Sequence, residues 1–412
     1  MSGSSDAVSL TLDNLVLKPP TKTSSTANFP ADSIASDARA THILIHPRYP
    51  QLLDAFLTYK RTYGSAYEQA LYVSLDWRQL VVRLIQARPL TFLGAEDYTV
   101  LRDGTRLSYG NYEWDRNGTP LQHLNRHLSL QDYLSYDEIM LSSLLGVSGP
   151  SYFINTGNRY NMARLKPEEP HQERGIIIGL AGARFEREHR MDSVHIMPPP
   201  MSDKDILFSP DPMVSSMIQA FLGATRDFAA QFDVPMYKAR IRVTADLFLL
   251  ESNARAREAD TKAWAYVVGL GLGAWEYEPR QHEWYVSAFG AAIAELELAC
   301  IGTVEFAYID KLRAEVKQEV TDIGARKGIQ VIFSHRDPAE KLEGDELLVL
   351  SYAWDGNAFP GNEYWAGGLA TSLAASGDPA AACMSTIAEL HNPLVNPEFT
   401  TRIKVAGSDG YQ

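Results

Sequence analysis

The sequence predicts an α/β protein built on a mostly parallel or mixed central sheet. Three observations predict it. Short apolar runs of strand length recur from residue 151 onward, and they are apolar throughout rather than alternating, as strands buried on both faces are. Segments with helical spacing stand between several of them, which is the pattern of strands joined by crossover helices. A chain of 412 residues, 45% hydrophobic and 22% charged, has globular composition and enough length for one large or two ordinary domains.

Taken in order, residues 1–40 are rich in Ser, Thr, Ala and Pro ("KPPTKTSSTANFPADS") with little periodic hydrophobicity, and read as a disordered tail. Residues 41–150 read as a mostly helical region. "THILIHPRYPQLLDAFLTYKRTYG" places Leu52, Leu53, Phe56 and Leu57 at helical spacing. "ALYVSLDWRQLVVRLIQARPLTFL" continues as helix, and "DYLSYDEIMLSSLLGV" is another, stopped by Gly149-Pro150. Residues 151–412 form the α/β core. Its strand candidates are "SYFINTG", "GIIIGLAGARF", "SVHIM", "ARIRVTADLFLL", "AWAYVVGLGL", "IGTVEFAYI", "IQVIFSH" and "ELLVLSYAW". Helices are expected over "MVSSMIQAFLGATRDFAAQF", "EWYVSAFGAAIAELELAC" and "DKLRAEVKQEVTDIGARKG".

A net charge of -13 argues against tracking nucleic-acid phosphates, which rests on exposed Lys and Arg. It leaves room for a small anionic ligand held by backbone amides. The two cysteines, Cys300 and Cys383, cannot build a disulfide framework and read as buried thiols. No apolar run is long enough to span a membrane, and no secretory pattern opens the chain, so a cytoplasmic protein is expected, with the nucleus as an alternative. His123 and His127 have a zinc-compatible spacing without a third ligand, and no metal is expected. His391 reads as structural. Nothing in the sequence fixes the oligomeric state.

Two stretches carry chemistry. In "AYVVGLGLGAW" an apolar strand runs into Gly269, Leu270, Gly271, Leu272, Gly273, Ala274 and Trp275. Alternate glycines leave backbone N–H groups open to a diphosphate, although the spacing is not the dinucleotide fingerprint and a tight crossing against a helix fits as well. In "YAWDGNAFPGNEYWAGG" a strand ends at Asp355, and Glu363 follows on a glycine-broken loop. Asp378 precedes Pro379 at the start of "DPAAACMSTIAEL", where an N-cap explains it equally well. Carboxylates crowded together split their protonation, and such a pair can serve as general acid and general base at a glycosidic carbon. A third cluster, with Phe153, Asn155, Arg184 and Phe185, supplies groups that suit an adenine face and edge.

With "LLGVSGPSYFINTGNRYN", "GLAGARFE" and "VVGLGLGAW", the long motif around Asp355 resembles the arginine-specific macrodomain ADP-ribosylhydrolases over residues 45–398. The resemblance implies a macrodomain-like three-layer α/β/α sandwich with permuted element order. It implies ADP-ribose and arginine-ADP-ribosylated proteins as partners, and hydrolysis of the arginine N-glycosidic bond without cofactor. It assigns Asp355, Glu363 and Asp378 to the three acidic positions, the second a glutamate in place of an aspartate. It assigns the 269–275 loop to the diphosphate, and Trp354, Gly356, Asn357 and Asn362 to the ribose loop. A module that binds ADP-ribose without cleaving it is the alternative.

Overall fold

The structure is a computed structural model that describes residues 10, 12–108, 112–198, 211–227, 229–367 and 377–412; at 363 and 377–380 it describes the backbone alone. Eleven strands are found among these residues: β1 His42–Ile45, β2 Thr91–Leu93, β3 Tyr98–Val100, β4 Arg106–Leu107, β5 Gly146–Tyr152, β6 Arg174–Leu180, β7 Ala263–Val268, β8 Ile301–Ala307, β9 Gln330–Ser334, β10 Leu347–Ala353 and β11 Ile403–Val405. Eight form a mixed sheet in the order β11-β1-β5-β6-β10-β7-β8-β9, and β2, β3 and β4 form a small antiparallel sheet. From β6 to β9 all neighbours are parallel, so β6, β10, β7, β8 and β9 end on one edge. β5 runs antiparallel to β6 and begins at that edge instead. Ile176, Ile177 and Ile178 in β6 and Leu348, Val349 and Leu350 in β10 are buried, as β-branched and aliphatic runs covered on both faces should be.

The expected α/β architecture is present, with four local differences. "ARIRVTADLFLL" is not a strand but lies in a helix over Val234–Glu258, started by Asp233, whose side chain accepts from the Met236 amide. That helix is buried nearly all round, so it carries no amphipathic stripe, and its branched residues imitate a buried strand. "SVHIM" is likewise a short helix, Ser193–Ile196. Gly149-Pro150 does not stop a helix; the helix Tyr136–Ser142 has already ended, and both residues belong to β5. Gly149 is required there because a Cβ would meet the Thr41 hydroxyl oxygen at 2.6 Å. Finally, the span read as a tail contains a helix over Ala31–Ala40, with Ile34 and Ala38 packed on Leu390.

The span read as a helical region also contributes β1 and β5 to the main sheet. Leu53, Phe56, Leu80 and Leu84 share one hydrophobic core with β6, β7 and β10. Among the described residues no helix is long and apolar enough to cross a membrane. Neither Cys300 nor Cys383 forms a disulfide; Cys383 is buried as expected, while Cys300 is only partly buried.

Candidate active site

β10 delivers the acidic loop. The Trp354 amide donates to the Leu180 carbonyl at 2.9 Å, so Asp355 emerges beside the end of β6. Gly356 follows with φ +77°, and a Cβ there would meet the Ser143 Cα at 2.7 Å. Only glycine allows this backbone so close an approach. The loop is pinned to the N-terminal half of the chain: the Ser142 hydroxyl donates to the Gly356 carbonyl, and the Phe359 amide to Pro89 at 2.9 Å. Asn362 is the hinge between β2 and the acid. Its Oδ1 accepts from the Phe92 amide at 2.8 Å, which fixes the amide so that its Nδ2 donates to Asp355 Oδ2. The carboxylate is therefore oriented by a side chain that is itself held.

Two buried guanidinium groups act electrostatically on Asp355. Arg88 stacks 4.2 Å over the Trp354 ring and donates from Nε to the Leu84 carbonyl at 2.7 Å. Burial, opposed by Tyr352, Tyr49 and Asp355, pulls it down to about 9, which still leaves it charged at neutral pH. Arg184 lies between Phe92 and Trp275, 5.4 and 5.0 Å from the two ring centres, and pairs with Glu186 at 3.1 Å. Burial works against its charge, but Glu186, then Asp355 and Asp97, outweigh it and hold this guanidinium above the ordinary arginine value. Asn357 is fully buried, and neither its Nδ2 nor its Oδ1 has a hydrogen-bond partner. The Glu363 side chain lies outside the described residues, as does that of Asp378. Their backbones sit in the helical turn Asn362–Trp365 and in the helix Gly377–Met384, the latter starting one residue ahead of the expected cap.

β7 delivers the glycine loop. Gly271 has φ +79°, and a Cβ on it would meet the Ala183 carbonyl oxygen at 2.6 Å; one on Gly182 would meet the Leu270 carbonyl oxygen at 2.2 Å. The loops after β6 and β7 thus interlock backbone against backbone. Leu270 and Leu272 are buried, while Gly273 and Ala274 are exposed. The Leu272 and Glu276 amides turn back on Gly269 and Gly273, whereas the amides of Gly271, Gly273, Ala274 and Trp275 donate to no backbone carbonyl among the described residues. Free, clustered amides of this kind form an anion nest.

The expected adenosine group does not assemble. Arg184 and Phe185 follow the far end of β6, and Phe185 packs 5.6 Å from Phe232. Phe153 and Asn155 follow β5 at the edge where β6 begins. The Phe153 ring covers Gly175, and the Asn155 amide holds its own loop through the Arg164 carbonyl and the Gly157 amide. The antiparallel run of β5 separates the two pairs by the length of a strand. What the Asn155 loop does shape is a cleft of about 320 Å³ against the glycine loop, walled by Tyr160, Val268, Gly269, Gly273, Tyr308 and Asp337. Tyr308 is held at φ +57°, 49% exposed, and donates to Asp337 Oδ1 at 3.0 Å.

A larger cleft, about 500 Å³, is lined by Lys60, Glu68 and Asp137, but Lys60 is already paired with both acids at 2.8 and 2.6 Å, so its charges are committed to structure. His123 and His127 share no helix, since the 3-10 turn Pro120–Leu124 ends between them. His391 is buried beside the Tyr352 hydroxyl, and burial pushes it down to about 3. Sequence reading missed Arg88, Phe92, Tyr308 and Asp337. For Tyr308 and Asp337 the available signal was position, Tyr308 directly after β8 and Asp337 three residues past the end of β9. For Arg88 and Phe92 there was none, because both reach the site from the N-terminal half.

A family model described as ADP-ribosylhydrolase MavL-like matches residues 17–205 and 202–409. Among curated proteins, the ADP-ribosylarginine hydrolase CG3568 of Drosophila melanogaster is 34% identical over 405 residues, covering 90% of this chain and 78% of the fly protein. The ADP-ribosylarginine hydrolase CG2909 of the same organism is 31% identical over 405 residues, covering 89% and 78%.

Proposed function

The chain belongs to the MavL-like ADP-ribosylhydrolase family, and from that premise we propose that it hydrolyses the N-glycosidic bond between ADP-ribose and arginine side chains of modified proteins. The observation that carries the reading is the placement of Asp355. Its carboxylate, oriented by Asn362, leaves the end of β10 next to the loop after β7 whose amides are free. In an α/β sheet, ligands settle outside the carboxyl ends of the strands. The diphosphate rests on the amides of Gly271, Gly273, Ala274 and Trp275, and the distal ribose faces Asp355, Gly356 and Asn357. The adenine enters the cleft at Tyr160, Tyr308 and Asp337, where Tyr308 offers a ring face and Asp337 an acceptor for the exocyclic amine. From β10 to β9 is three strand spacings, about 14 Å at about 4.8 Å each.

Asp355 orients a water at the anomeric carbon and takes its proton. The water oxygen bonds to that carbon as the carbon–nitrogen bond breaks, and the departing guanidine gains a proton. Glu363 and Asp378 grip and protonate this leaving group. Positive charge developing on the ribose is stabilised by the same carboxylates. Their bidentate fit to a guanidinium favours arginine over glutamate or serine linkages. In this reading the fold is a macrodomain-like α/β/α sandwich with permuted element order, residues 151–412 carrying the ligand and 41–150 bracing the acidic loop. Cysteines outside any disulfide suit a cytoplasmic or nuclear setting.

The test incubates the protein with arginine-, glutamate- and serine-linked ADP-ribosylated proteins and follows free ADP-ribose. Release from the arginine linkage alone is expected. Tight binding of ADP-ribose with no release from any linkage would instead make the chain a reader.

A further inference from the structure

Arg184 is a cation that the proposed chemistry has not yet used, and its surroundings are unusual. The side chain is 5% exposed; Nε and Nη2 both turn to Glu186 Oε2, at 3.3 and 3.1 Å, and Nη1 has no hydrogen-bond partner. Buried charged donors are ordinarily saturated, because each one left open costs its hydration. A structural ion pair would have closed this one. Instead the guanidinium is wedged between two ring faces, Phe92 from β2 and Trp275 from the end of the glycine loop. Phe92 is the residue whose amide fixes Asn362, and Asn362 holds Asp355. Arg184 therefore stands between the loop assigned to the diphosphate and the acid assigned to the water.

We propose that Arg184 is a positioning residue: its wedged guanidinium keeps Asp355 as the carboxylate and, through Trp275, ties that acid to the diphosphate loop. This rests on the hydrolase reading above. The charged groups acting on the acid are Arg88, stacked on Trp354, and Arg184, which itself faces Glu186 and Asp97. Arg88 is locked to the Leu84 carbonyl and cannot follow a ligand, whereas Arg184 has a donor in reserve. An opposite charge nearby favours the ionised acid, so its loss moves the acid's titration upward and the loss of Glu186 moves it downward.

The experiment is the pH profile of kcat/KM on arginine-ADP-ribosylated protein, whose acid limb reports the base of the free enzyme. Arg184→Gln should shift that limb upward by about one pH unit, with ADP-ribose affinity within about threefold of wild type. Arg184→Lys should restore most of the limb, and Glu186→Gln should shift it the opposite way. An unmoved limb in Arg184→Gln with affinity down tenfold or more would make Arg184 a phosphate ligand and overturn the proposal. If Arg184→Gln does not fold, an unmoved limb in Glu186→Gln overturns it as well. Carboxyl titration of Asp355 by NMR in the ligand-free protein, assigned with Asp355→Asn, reads the same shift without turnover. It separates failure of this inference from failure of the hydrolase reading.

Discussion

Two buried charge clusters in this molecule differ in how completely they are paired. At the β11–β1–β5 side of the sheet, Glu251 receives His42 at 3.0 Å, Arg255 at 2.7 Å and the Ser148 hydroxyl at 2.7 Å, with Lys404 at 3.6 Å. Four separate elements are stitched by one carboxylate, three of them through its Oε1, with Lys404 facing Oε2. At the end of β10, by contrast, Arg184 keeps a bare Nη1, and Asn357 has two bare polar atoms. Both clusters bear desolvation costs; in the first, opposite charges face each other, although His42 Nε2 is itself left without a well-formed hydrogen bond. Buried charge met by opposite charge fixes register, whereas the open donor of Arg184 lies beside the loops assigned to the ligand.

Substitutions that strike one cluster at a time can break this contrast. Asp355→Asn keeps shape and removes the base, so kcat on arginine-ADP-ribosylated protein should fall by about 10² to 10⁴, with the urea midpoint near wild type. A large drop in midpoint would mean that Asp355 serves the fold instead. Glu251→Gln should do the reverse, costing about 3–5 kcal/mol of stability by stranding the buried Arg255, while kcat per folded molecule is preserved at low temperature. Acid sharpens the same distinction. Burial holds His391 and His195 down to about 3, and both are therefore neutral in the fold. Their contribution is complete above the unfolded value near 6.5 and is lost as pH falls toward 3, at about 1.4 kcal/mol per pH unit for each. Coulombic and hydrogen-bond partners, led by His42, outweigh burial and hold Glu251 far below the usual carboxylate range, so it adds a further loss only below about 4.5. Urea titrations at pH 7, 6 and 5 should show a steep decline, and a flat profile would contradict neutral buried imidazoles. The smallest effect is expected in the cleft. Tyr308→Ala should weaken ADP-ribose binding about three- to tenfold, as loss of an aromatic face does, and also relieve a strained backbone. Unchanged affinity by calorimetry would move the adenine elsewhere.

Several features were legible in sequence for definite reasons. Ile176 to Ile178, and Leu347 to Leu350, are dense apolar runs bounded by turn residues, and such runs have few uses except a buried strand. Gly271 was legible because a glycine following a strand usually answers a close backbone approach, here to Ala183. Asp355 stood out because it ends a strand. Illegible were the residues whose surroundings are non-local. Nothing near Val234–Glu258 tells a fully buried helix from a strand, since period is lost when every face is covered. Phe153 and Arg184 looked alike as loop residues, and only the direction of β5 sets them a strand length apart.

By itself, the sequence determined the α/β class, the strands of the parallel half, the glycine loop and the acid at the end of β10, together with a family resemblance that the comparisons bear out. These depend on local covalent chemistry: which residues tolerate φ above zero, and which runs must leave water. Tertiary structure alone decided that Phe92 holds Asn362 on Asp355 with the charge of Arg88 nearby, that Tyr308 and Asp337 wall a cleft with Gly269, and that Arg184 retains an open donor. Those facts depend on strand order and on the N-terminal half folding back over the acidic loop, and neither is written in any window of neighbouring residues.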